Sequence, residues 1–78
     1  MAISGAIMKI QSARRENVIS ELEKVSGVSF EQETPAGELI LLIEAKDLGA
    51  LHKTCLKLEK LDGVLGIYPA YVTTEDEQ

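Results

Sequence analysis

The side chains that could do covalent or metal chemistry in this sequence are few and poorly placed for it. His52 is the only histidine and Cys55 the only cysteine, three positions apart in "LHKTCLKLEK". Catalytic use of Cys55 needs a nearby base, and one histidine three residues away is thin support for it. Cys55 falls on an apolar helical stripe, where a free cysteine behaves as a small core hydrophobe. A lone helical histidine such as His52 is far more often a surface residue than a ligand or base. There is no Cys-x-x-Cys pair, so capture of a soft metal by thiolates lacks its ligands. No Gly-x-Gly-x-x-Gly or Walker sequence appears. In "GVLGIYP", Gly63 closes a helix and no second helix follows Gly66, which argues against a phosphate cradle. Arg14 and Arg15 read as a solvated basic pair in the first turn of a helix. Enzymatic activity is therefore disfavoured, and no cofactor or metal is expected.

Composition narrows the partners. The chain has 78 residues, enough for one domain with a thin core. Thirteen acidic against eight basic residues leave a net charge of −5. Nucleic-acid binding needs a basic face, and stacking on bases needs aromatics, of which there are only two Tyr and one Phe. The acidic balance suits a basic partner, or solubility alone. A single cysteine excludes an internal disulfide and favours a reducing compartment. "MAISGAIMKI" lacks the basic start and long apolar stretch of a secretory signal, and no segment reaches the ~20 apolar residues that span a bilayer. The expectation is a cytoplasmic chain without direct membrane insertion.

The elements that position any site follow from periodicity. "ISGAIMKI", Ile3 to Ile10, has the length of a strand. In "QSARRENVISELEKVSG", Val18, Ile19, Leu22 and Val25 recur at helical spacing, and Gly27 suits a helix end. "VSFEQE" alternates as a half-exposed strand does, and "TPAG" from Thr34 to Gly37 is turn chemistry. Asp47 can cap a second helix whose stripe is Leu48, Leu51, Cys55, Leu58 and Leu61, closed by Gly63. "VLGIYPAYV", Val64 to Val72, is a last strand, at a sheet edge or bulged because Pro69 lacks a ladder donor. "TTEDEQ", residues 73–78, is expected to be an acidic disordered tail behind a single domain of residues 1–72.

"LEKVSGV" from Leu22 is answered by "LEKLDGV" from Leu58, a faint repeat of strand, helix, glycine, strand. Two such units give βαββαβ, a ferredoxin-like α+β fold. Right-handed crossovers put both helices on one face of a four-stranded antiparallel-and-parallel sheet, with the first and third strands central.

The stretch "GELILLIEA" is then the informative one. Leu39 to Ile43 form an unbroken apolar run, which means that both faces of this central strand meet apolar material. Helices cover only one face. The other is an apolar surface suited to interaction, or to a second copy of the chain. Polar residues assign the parity. Lys9 puts Ile3, Gly5 and Ile7 on the open side, with Ser4, Ala6, Met8 and Ile10 facing the helices. Glu38 and Glu44 put Ile40 and Leu42 on the open side, with Leu39, Leu41 and Ile43 in the core. In the second strand Val28 and Phe30 read as buried, and Ser29 and Glu31 as outward. In the last strand Ile67 and Tyr71 are assigned to the open face. Glu31, Glu38 and Glu44 rim it.

With these elements in place, "PAGELILLIEAKD" (Pro35 to Asp47) and "LDGVLGIYPAYV" (Leu61 to Val72) resemble the NapD family, the assembly chaperones of the periplasmic nitrate reductase. The shared features are a proline–small–glycine turn, an apolar strand ending in Glu-Ala, and a GVL-type start to a last strand that ends near a tyrosine. The resemblance runs from Ile3 to about Tyr71, and the sequence departs from the pattern at Gly66, Tyr68 and Pro69. It implies a ferredoxin-like, cytoplasmic chaperone without a cofactor of its own. Such a chaperone binds the twin-arginine signal peptide of the reductase's catalytic subunit and delays Tat export until the molybdenum cofactor is inserted. A signal peptide with a basic start and an apolar segment suits an apolar face bordered by carboxylates. The peptide-binding residues expected here are Ile3, Ile7, Lys9, Glu38, Ile40, Leu42, Glu44, Ile67 and Tyr71.

Two other readings share the fold. A small regulatory or ligand-sensing homodimer usually needs a Gly- or Asn-rich loop after the first strand. An acylphosphatase-like enzyme needs a Gly-rich anion loop there. "IQSARREN" supplies neither.

Overall fold

The computed structural model describes residues 1–74, with side chains described through Ala70. Strand β1 spans Ala2–Ile10 and leads through a single 3-10 turn, Ser12–Arg14, into helix α1, Arg15–Leu22. Strands β2, Val28–Glu33, and β3, Leu39–Ala45, follow as a hairpin; helix α2, Leu48–Glu59, and strand β4, Val64–Thr74, complete the chain. The strand order is β2-β3-β1-β4, so β1 and β3 are central. All three neighbouring pairs are antiparallel, which corrects the expectation of a partly parallel sheet. The parallel relations of this topology join β1 with β2 and β3 with β4, which are not neighbours.

The core is one cluster. Ala2, Ala6 and Met8 of β1 and Leu39, Leu41 and Ile43 of β3 meet Val18 and Leu22 of α1 and Leu51 and Leu58 of α2. Both helices therefore lie on the same side of the sheet. Ser4 is the one buried polar residue among those described, and its hydroxyl donates to the Gly5 carbonyl at 3.1 Å.

Local chemistry sets the element ends. The Asp47 carboxylate accepts from the Ala50 amide at 2.8 Å, capping α2. Helix α1 stops at Leu22, so Val25 lies beyond it, half-buried against the core. The return to the sheet is made at Gly27, whose φ of 84° is in the region that favours glycine. The Gly27 carbonyl accepts from the Glu44 amide at 2.7 Å, tying this turn to the end of β3.

Two expected stripes need correction. Leu48 is exposed at the first position of α2, where the helix has only begun, whereas Leu51 and Leu58 of the same stripe are buried. Phe30 is 37% exposed, although its partner Leu41 is buried. It stands on edge strand β2, where one flank has no neighbouring strand to close over the ring. Strand β4 runs on to Thr74, two residues past its expected end, and residues 75–78 of the expected tail lie outside the described residues. Among the described residues no helix is long and apolar enough to cross a membrane.

Candidate functional site

The face of the sheet away from the helices is built in rows by the register. Lys9 and Glu38 stand at one end, joined by an ion pair of 3.8 Å. Ile7 is opposite Ile40, then Gly5 opposite Leu42, then Ile3 opposite Glu44. Side chains two residues apart share a face. The alternation therefore gathers Ile3, Ile7, Ile40 and Leu42 into one apolar centre, with charge at both ends. All four are half-buried, whereas their neighbours Met8, Leu39, Leu41 and Ile43 are closed off under the helices. Edge strand β2 adds Ser29 opposite Leu42 and Gln32 opposite Ile40, both exposed. Glu31 is the extra residue of a bulge between them, so it belongs to the strand edge more than to the face.

Strand β4 differs from the sequence expectation. Ile67 is 7% exposed and packs in the core, not on the open face, because it pairs with the buried Met8. Tyr71 pairs with Gly5, an open-face row, and its side chain lies outside the described residues. The cause is irregular pairing. Val64 pairs with Ile10 and Gly66 with Lys9, leaving Leu65 over; Pro69 pairs with Ala6 and Tyr71 with Gly5, leaving Ala70 over. Each extra residue flips the parity of the strand beyond it.

Between these bulges the open-face residue is Tyr68, which sequence reasoning passed over. It is 53% exposed, and its partner is Ile7. Its side chain lies over Gly66: a Cβ at that position would stand 2.6 Å from the tyrosine oxygen. Lys9 Nζ sits over the Tyr68 ring, 5.7 Å from its centre. The available signal was Pro69, which marks irregular pairing and so allows the face of its neighbours to switch.

Chemistry elsewhere is sparse. His52 is exposed on α2. Burial, with a smaller contribution from Glu59, pushes the Cys55 thiol above its ordinary pKa, the reverse of an activated nucleophile. Ser4, Leu48, Leu51, His52, Cys55 and Pro69 line a shallow cleft beside α2. Arg15 pairs with Glu33 at 2.6 Å and Arg14 with Asp62 at 3.0 Å, so both arginines are engaged within the chain. Among the described residues no group of three or more His, Cys, Asp or Glu is placed to hold a metal ion.

An antiparallel sheet with two helices on one face and an apolar, charge-ended opposite face defines a ferredoxin-like α+β domain with a free sheet surface. The family model described as NapD protein matches residues 1–76, and the chain belongs to the NapD family. Among solved structures it is similar to the solution structure of the E. coli Tat proofreading chaperone protein NapD. The TM-score is 0.81 and the identity 23%, over 97% of this chain and 81% of that one. No curated protein matches the sequence.

Proposed function

We propose that this chain is a non-catalytic chaperone that binds the twin-arginine signal peptide of the periplasmic nitrate reductase catalytic subunit precursor. It acts in the cytoplasm, before export, and holds the precursor back until its cofactor is in place. The observation that carries this reading is the open sheet face of a NapD-family chain: an apolar centre of Ile3, Ile7, Ile40 and Leu42 with Glu38 and Glu44 at its ends. The apolar segment of such a peptide covers the centre, removing hydrocarbon from water on both sides. Its basic start meets an acidic molecule of net charge −5.

The test is a titration of the protein with a synthetic twin-arginine signal peptide from the reductase precursor, monitored by calorimetry and by NMR of isoleucine and leucine methyl groups. Saturable binding with shifts at Ile7, Ile40 and Leu42, against quiet methyls at Leu39 and Leu41, supports the reading. An absence of binding, with the protein running as a dimer that buries this face, overturns it.

A further inference from the structure

At one end of the open face Lys9 stands near the outer limit of contact with both Glu38 and Tyr68. Lys9 Nζ is 3.8 Å from Glu38 Oε2 and 5.7 Å from the Tyr68 ring centre. The first is close to the ~4 Å limit of an ion pair and the second close to the ~6 Å limit of a cation–π contact. Both acceptors have a further neighbour of their own. The β2–β3 turn holds Glu38: Thr34 Oγ1 donates to Oε1 at 3.5 Å and accepts from the Glu38 amide at 3.1 Å. Tyr68 rests over Gly66, in space that any side chain at 66 would occupy.

We propose that Glu38 and Tyr68 are a seat for one arginine side chain of the bound peptide, and that Lys9 is a placeholder which the arginine displaces. The inference rests on the signal-peptide reading above and adds to it which groups read the peptide's charge and in which direction the peptide runs. An arginine fits where a lysine fits poorly. Its planar guanidinium stacks on an aromatic ring and can donate two hydrogen bonds to one carboxylate, whereas an ammonium is a compact, strongly hydrated point charge. The seat also adjoins the apolar centre, because Ile7 is paired with both Tyr68 and Ile40. A peptide whose arginine occupies the seat therefore lays its apolar segment over Ile7 and Ile40 toward Leu42. The displaced Lys9 side chain, already largely exposed, returns to water at little cost.

The experiment compares two synthetic peptides, the twin-arginine sequence and the same sequence with both arginines changed to lysine. Each is titrated against the wild-type chain and against Tyr68→Leu, Lys9→Met and Gly66→Ala. Tyr68→Leu is expected to weaken the arginine peptide roughly 3- to 30-fold, the range of one partly desolvated cation–π contact, and to leave the lysine peptide nearly unchanged. Lys9→Met is expected to tighten the arginine peptide, since the competing cation is gone. Gly66→Ala keeps the tyrosine but forces its ring aside, and is expected to act as Tyr68→Leu does; it serves as well where Tyr68→Leu does not fold. Equal losses for both peptides, or a weaker arginine peptide with Lys9→Met, overturn the seat while leaving signal-peptide binding standing. A wild-type chain that binds neither peptide overturns the signal-peptide reading itself, and the seat with it.

Discussion

Gly63 lies so close to Val18 that a Cβ at position 63 would stand 3.0 Å from Val18 Cγ2, and 2.5 Å from Arg14 Cβ. This contact seats the turn after α2 against the start of α1, and the Gly63 carbonyl accepts from the Gln11 amide at 2.8 Å on the same side. Gly37 has a similar backbone, with φ of 86° against 98° for Gly63, but nothing lies within 4 Å of where its Cβ would be. Gly37→Ala is therefore expected to cost about 1 kcal/mol, the price of the left-handed backbone alone. Gly63→Ala is expected to cost about 3 kcal/mol or more, since strain and collision add. Urea unfolding of the two variants measures the difference, and equal losses would contradict the close packing.

Leu41 and Leu42 are neighbours in β3 on opposite faces, Leu41 closed off in the core and Leu42 half-buried on the open side. Leu41→Ala is expected to lose about 2–5 kcal/mol of stability. Leu42→Ala is expected to lose no more than about 1.5 kcal/mol, because its methyls are already partly in water. Leu42→Asp and Ile7→Asp should leave the fold standing and abolish peptide binding. Thermal melts with the same peptide titration check both halves; unfolding of either Asp variant would contradict the assigned face.

How much of this was legible in the sequence differs strand by strand. In β1 and β3 the parity could be read because Lys9, Glu38 and Glu44 mark one side of regular, central strands. The βαββαβ order came from helical spacing, two closing glycines and the internal repeat. Strand β4 could not be read in the same way. Ile67 and Tyr71 are an even number of residues apart, which in a regular strand places them on one face. The extra residue Ala70 breaks that rule, and Ile67 is core. A bulge is decided by pairing with a strand far away in sequence, so the residues of β4 alone do not announce it. Phe30 differs for a related reason: its alternation places it on the face of Leu41, but burial at an edge depends on what closes the flank.

Peptide affinity is expected to fall as salt rises. Glu38 and Glu44 lie at the solvent-facing ends of the apolar centre, and exposed ion pairs are screened over a Debye length of about 10 Å at 0.1 M. Calorimetry at low and high salt tests this. A constant affinity would remove the role of these carboxylates and leave the apolar centre as the sole contact.

The Cys55 thiol, raised above its ordinary pKa mainly by burial, is expected to respond to alkali in a definite direction. Above the unfolded chain's thiol pKa, the folded protein holds a proton that the unfolded chain has released. Stability then falls as pH rises toward the folded value. Denaturation at pH 7 and pH 10 should show a smaller alkaline loss in Cys55→Ala than in the wild type. Disulfide-forming reagents at pH 8 should react with Cys55 more slowly than with a free thiol.

The two outer strands carry a further consequence. A sheet that leaves one face bare also leaves two rims of unpaired backbone, and such rims invite copies of the chain to add strand by strand into fibres. Here β2 ends in "EQE", Glu31 to Glu33, with its bulge at Glu31, and β4 carries Pro69, which offers no amide to a neighbour. The rims repel and interrupt further strands while the apolar centre stays open. An exposed apolar face and resistance to strand-by-strand growth are thus compatible in one sheet, because growth of a fibre needs the rim and not the face.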